Sequence, residues 1–244
     1  MTSPIEDRPG DADPKIATAC PNTRDDLIEA IGKSGDRVLL RAQQRLARAV
    51  SSKKGPLFVF AGVLSIDAVS VKGQRQVLDF LMPGDFILLP ELIFTSKLSI
   101  RAITSATLIT SDAKALQHFD AMQTQIIAQL TRAHLQQLII GQLGTEARVA
   151  SFILTLAQRS GIAPNAGALL ALPMSRVDIA DFLAMNPDTL SRIMMHMQAL
   201  GLIERVSRNM IRVKDLAQLS LFSPIASQIN AAFDRTTSGR ASPA

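Results

Sequence analysis

The chain has 244 residues, 47% of them hydrophobic and 19% charged, which is enough for two modest domains with real cores. Its formal charge of +5 and pI near 9.8 favour an anionic partner, either nucleic acid or an anionic surface. One cysteine, Cys20, excludes an internal disulfide framework and any multi-cysteine metal or iron–sulfur site, and no run of about 18 apolar residues is present to span a membrane.

Residues 1–24 carry acids and prolines and no apolar segment of the signal-peptide kind, so they read as a disordered lead to a soluble, cytoplasmic protein. A first domain is expected over 25–112. Short apolar or alternating runs at 37–40, 57–60, 63–71, 76–82, 86–89, 98–104 and 106–110 are broken by turn residues, most clearly Lys72-Gly73-Gln74 and Pro83-Gly84-Asp85. Many short strands at close spacing predict a small β-roll of jelly-roll type. Residues 36–110 contain neither histidine nor cysteine, so this barrel lacks the ligands of a cupin-like metal enzyme.

The texture then changes. A Gln- and Ala-rich stretch from about 112 to 140, without proline or glycine, predicts one long helix, bounded at 113–141. Ile127, Leu130, His134 and Leu138 recur at three- and four-residue steps, close to a coiled-coil seam, and a seam needs a second helix. The stripe is therefore a candidate dimer contact, with packing onto the chain's own barrel as the alternative. Beyond Gly141 and Gly144, residues 145–159 read as a helix with Val149, Phe152, Ile153 and Leu156 inward. The segment 161–172, with Pro164 and two glycines, reads as a flexible connection.

Two capped helix starts follow. Ser175 with Asp178 three residues on is a capping-box arrangement, and Asn186-Pro187-Asp188 supplies an N-cap, a proline at the first helical position and an early carboxylate. In the second helix Leu190, Ile193, Met194, Met197 and Leu200 form an apolar stripe, while Asp188, Ser191, Arg192 and Met195 fall opposite. A face with a short acid, a hydroxyl and an arginine has the groups needed at base edges in a major groove. Arg192 can fork onto guanine, and Asp188 can accept from a cytosine amine. A solvated face with an Asp188–Arg192 pair is the plainer alternative.

After Gly201, the runs 202–206 and 210–213 around Ser207-Arg208-Asn209 read as a hairpin, the wing of a winged helix-turn-helix spanning 144–220. Between 189 and 214 five basic residues (Arg192, Arg205, Arg208, Arg212 and Lys214) face one acid, Glu204, a local charge of +4 suited to phosphates. Arg208 and Arg212, with Ser175 and Thr189 at the helix starts, are the candidate phosphate contacts. The remainder, 221–244, ending TTSGRASPA, reads as a C-terminal tail.

The order of parts and the stretch LPMSRVDIADFLAMNPDTLSR at 172–192 resemble the Crp–Fnr superfamily of bacterial transcription regulators, over about 36–214. The match is closest to its FixK/Fnr branch, whose pattern is LPMSRxDIADYLGLxxETxSR. The segment QRQVLDFLMPGDF at 74–86 fits the family's strand followed by a PGDF turn. The resemblance implies an α+β fold: an N-terminal jelly-roll-like domain of the cyclic-nucleotide-binding type, a dimerisation helix and a C-terminal winged helix-turn-helix. It implies a homodimer on a palindromic, double-stranded DNA operator, and either contact with RNA polymerase through 159–167, for activation, or repression where the operator overlaps a promoter. The family's Glu, Ser and Arg read a half-site of the TTGA kind. Ser191 and Arg192 match the last two, whereas Asp188 replaces the glutamate and is one methylene shorter, which puts that base preference in doubt. Arg176 matches a phosphate contact. Ala184 stands where the family has a turn glycine.

The resemblance does not extend to the family's known sensors. Cyclic-nucleotide members use a Gly-Glu pair and an arginine; here Glu91 has no glycine before it, and Ser96, with Lys97 beside it, occupies the arginine's slot. That argues against a cyclic nucleotide. An Fnr-type cluster needs four cysteines and is excluded. The histidines are His118, His134 and His196, and a haem or metal role for His118 or His134, like a redox role for Cys20, is weaker than an ordinary surface role. No certain cofactor and no metal site follow. The leading reading is a DNA-binding transcription regulator. The competing ones are a cyclic-nucleotide or other small-ligand receptor whose winged helix serves protein–protein contacts, and an enzyme on the β-roll, which the missing histidines and paired carboxylates argue against.

Overall fold

The computed structural model describes residues 36–47, 56–87, 98–110, 119–161 and 167–237. Cys20, Glu91, Ser96, Lys97, His118 and the lead at 1–24 lie outside the described residues. Among the described residues the N-terminal part holds seven strands: β1 (Arg37–Leu40), β2 (Leu57–Ala61), β3 (Leu64–Val69), β4 (Arg75–Leu81), β5 (Phe86–Ile87), β6 (Ser99–Ala102) and β7 (Ala106–Thr110). They pair antiparallel in two sheets, ordered β1-β7-β2-β5 and β4-β3-β6. Leu57, Val59, Leu64, Leu81, Ile100 and Leu108 fill the space between the sheets. Part of the opposite face of β2, β5 and β7 is buried too, which is why these strands read as apolar runs more than as alternating ones. Phe58 packs on Phe86 (ring centroids 5.0 Å apart) together with Ile109 and Met122.

Turn chemistry fits the sequence. Gly73 and Gly84 have φ of +78° and +96° in the two turns expected from their neighbours. Gly62, between β2 and β3, is demanded twice over: its φ is +85°, and a Cβ there would lie 2.4 Å from the Ser105 carbonyl oxygen.

Helix α1 (Phe119–Gln142) leads to α2 (Thr145–Arg159), then β8 (Ala168–Ala171), α3 (Arg176–Phe182), α4 (Pro187–Ala199), β9 (Ile203–Ser207), β10 (Met210–Val213), α5 (Leu216–Leu221) and α6 (Ala226–Thr237). Among the described residues no helix is long and apolar enough to cross a membrane. Val149, Phe152, Ile153 and Leu156 all enter the core, as their spacing requires. Two expectations are corrected. Part of the connection at 161–172 is strand β8, which pairs with β10 and makes the wing sheet three-stranded, in the order β8-β10-β9. The supposed tail contains α6, whose Ile229 is fully buried while Gln158 of α2 donates to Asn230 at 2.9 Å.

Among the described residues, joints at β4 and at the turn after it tie the β-roll to the helices. Phe80 of β4 meets Phe182 of α3 and Phe152 of α2, with centroids 4.9 and 6.4 Å away. Asp85, in the PGDF turn, accepts from the Met82 amide at 2.8 Å and pairs with Arg132 of α1 and Arg159 of α2, all three side chains being less than a tenth exposed. Arg159 also donates to the Phe80 carbonyl at 2.8 Å. That side chain, offered above as the start of a polymerase-contacting segment, is thus a buried structural anchor; 162–166 lie outside the described residues. Asp79 stands by the same group, and burial pushes its carboxyl up to about 6 against the pull of Arg159 and with the push of Asp85.

Ala184, in the turn between α3 and α4, has φ of +50°, the left-handed region that costs a residue with a Cβ. Ala184→Gly is therefore expected to raise stability by about 1 kcal/mol, measured by urea unfolding, because relief of that strain exceeds glycine's added chain entropy. A loss of stability instead would show that the turn is unstrained.

Candidate nucleic-acid interface

Both helices of the turn motif start where their caps direct. Ser175 Oγ accepts from the Asp178 amide at 3.1 Å, and Asp178 Oδ2 accepts from the Ser175 amide at 3.2 Å and from its hydroxyl at 2.7 Å, a complete capping box. Asn186 Oδ1 accepts from the Asp188 amide at 2.8 Å, and Pro187 opens α4. Leu190, Met194 and Met197 are buried and Ile193 packs beside them, so one side of α4 is core. Leu200, assigned above to the same stripe, is 48% exposed: it lies at the C-cap, where Gly201 (φ +74°) turns the chain and Leu202 takes the core position.

On the other side of α4, Asp188, Arg192 and Met195 are exposed, and Ser191 and Thr189 are half-buried. Ser191 Oγ donates to the Pro187 carbonyl at 2.9 Å, a back-bond that a hydroxyl can exchange for an outside acceptor. Among the described contacts no ion pair joins Asp188 to Arg192, and both side chains are exposed. The predicted base-reading set therefore shares one solvent-facing surface.

The basic residues around it are arranged less evenly than their number suggested. β9 and β10 form the expected hairpin, with Arg208 exposed at its turn. Arg212 donates to Glu204 Oε2 at 3.1 Å, with Lys214 3.8 Å from the same oxygen, so part of the wing's charge is internally balanced. Arg205, counted in the local charge but not placed as a contact, lines the depression between α4 and the wing with Arg176, Ser191 and Met195. Burial lowers the pKa of Arg176, and the charge of Arg205 lowers it further; two like charges held together are an arrangement that an anion relieves. Arg205 follows from the register: Arg212 opposite Glu204 and Ile211 opposite Arg205 put successive wing residues on alternate faces. Ser175 is exposed, but its hydroxyl proton is already committed to Asp178.

On α1, Ile127 and Leu130 are 56% and 53% exposed, and His134 and Leu138 are exposed with them. The helix's buried side is a different one, formed by Met122, Gln125, Ala128, Gln136 and Ile139. Among the described residues the stripe belongs to none of the hydrophobic cores.

The model of the Crp-like helix-turn-helix domain matches residues 147–222. The chain is 31% identical to a nitrogen fixation regulation protein, FixK, of Azorhizobium caulinodans, over 66% of this chain and 68% of that one. It is 28% identical to the FixK protein of Rhizobium meliloti, over 69% and 74%. Among solved structures it is similar to FixK2 from Bradyrhizobium japonicum, with a TM-score of 0.64 and 20% identity over 78% of this chain and 98% of that one. A CooA variant from Carboxydothermus hydrogenoformans has the same fold, with a TM-score of 0.61 and 19% identity over 77% and 87%.

Proposed function

The chain belongs to the Crp–Fnr family and is a DNA-binding transcription regulator of that type, and from this premise we propose that it reads a near-palindromic operator as a cytoplasmic homodimer. Arg192, Ser191 and Asp188 of each subunit meet base edges, with half-sites about one helical turn apart. Arg176, Arg205 and Arg208 hold phosphates, with Thr189 beside them. Ser175 and Arg212 rank behind these, because one has spent its donor on Asp178 and the other is paired with Glu204. RNA polymerase is the proposed second partner. The observation that carries the reading is the exposed Asp188–Arg192 face lying next to the Arg176–Arg205 pair, so that base readers and phosphate clamps share one surface.

The dimer contact is the exposed α1 stripe. Leu130→Glu is expected to yield monomers in sedimentation and to weaken operator binding by about 100-fold or more, since each half-site then binds without the avidity of its partner. Unchanged sedimentation would remove α1 as the contact.

Selection from random DNA with the full chain tests the whole reading. The expected product is an inverted repeat with centres about 10 base pairs apart. An asymmetric motif, or none, would overturn it.

A further inference from the structure

Two arginines of the β-roll reach across to the first helix of the reading head. Arg101 on β6 donates to Gln43 Oε1 at 2.7 Å, Asp67 Oδ2 at 3.2 Å and Asp178 Oδ1 at 2.7 Å. Arg75, which opens β4, donates to Asp178 Oδ1 at 2.6 Å and Asp181 Oδ2 at 2.8 Å, while Gln76 Nε2 donates to the Asp181 carbonyl. Asp67, Asp178 and Arg101 are buried.

Asp178 is the shared member. Its Oδ2 completes the capping box with Ser175, while its Oδ1 faces both β-roll guanidiniums. One carboxylate thus shapes the start of α3 and anchors that start to another domain. Burial pushes its pKa up, but the bonds from Ser175, Arg75 and Arg101 outweigh burial and keep it below the usual carboxylate range, so the anchor stays charged at neutral pH. Arg176, the phosphate clamp proposed above, is the first residue of the same helix.

We propose that Arg75 and Arg101 are positioning residues for operator binding, which set the angle of α3, and with it Arg176 and α4, through Asp178 and Asp181. The proposal rests on the DNA-reading assignment above. Two reading heads joined through α1 must present their α4 faces at one separation to engage both half-sites. The Phe80–Phe152–Phe182 contact is not directional enough to hold one angle, whereas forked guanidinium–carboxylate bonds are. Without the clamp, each head samples other angles, and the apparent affinity for a two-half-site operator falls by the fraction of dimers that remain aligned.

The Arg75–Asp181 pair is the place to test this, because its side chains are 27% and 22% exposed and their loss threatens the fold less than that of Arg101. Arg75→Gln, Asp181→Asn and the double variant, each as the full-length dimer, are titrated with the selected operator and with a single half-site. Each single variant should bind the operator roughly tenfold more weakly, with half-site affinity unchanged, and the double should lose no more than the worse single. Arg75→Lys, which keeps the charge, should recover most of the loss. Equal losses on operator and half-site would mean local damage to α3 and overturn the proposal, as would operator binding at or above the parent level, or additive losses in the double. If the parent itself binds no DNA, the functional reading fails; if it binds and the variants match it, the positioning role alone fails.

Discussion

Asp85→Ala is expected to remove about 3–5 kcal/mol of stability, seen as a lower urea midpoint at unchanged slope. The reason is what the substitution leaves behind. Arg132 and Arg159 are both buried against the Asp85 carboxylate, and Arg132 Nε already has no hydrogen-bond partner. Without Asp85 two guanidinium charges stay in a low-dielectric joint that has lost the carboxylate bridging them, and Asp79, whose carboxyl burial raises to about 6, is the acid left beside them. Asp85→Asn should cost less, because the amide oxygen still accepts from the Met82 amide and holds the turn. A loss below about 1 kcal/mol for the alanine variant would mean that both arginines regain water, as at an exposed ion pair.

Arg192→Ala is expected to cost about 1–3 kcal/mol of operator binding and to flatten the preference at one base pair of each half-site, leaving binding to random DNA nearly intact. Arg208→Ala should do the reverse, weakening both DNAs together and reducing the salt slope by about one. The contrast follows from position: Arg192 projects from the exposed side of α4, whereas Arg208 sits at the wing turn. Competition titrations on operator and random duplexes at several salt concentrations separate the two. If Arg192→Ala weakens both DNAs equally, Arg192 is a phosphate contact and base reading belongs to other residues.

The order of elements and the bases of the site were legible from local patterns. Caps, proline at the first helical turn, glycine in turns and apolar periods act over a few residues, so Ser175, Asn186, Gly73 and the α4 faces behave as their neighbours dictate. What polar or exposed character concealed was harder to see. β8 and α6 carry no such local signal, because glycines and a polar ending flank segments whose apolar residues find partners only in the folded domain. Arg205 was visible as charge but not as a neighbour of Arg176, a relation set by the wing's register against α4.

The 244 residues by themselves determined the order of the β-roll, the long helix and the reading head, the family and the side of α4 that faces outward, though not β8 or α6, because periodicity and capping are short-range rules that the chain spells out in order. Tertiary structure alone decided how the reading head is held. Asp178 shows its capping role to anyone who reads Ser175 three positions earlier, yet its other oxygen meets Arg75 and Arg101, 103 and 77 residues away. An ion pair has no period and no preferred spacing along a chain, so only the packing of β4 and β6 against α3 could select those two arginines from the basic residues available.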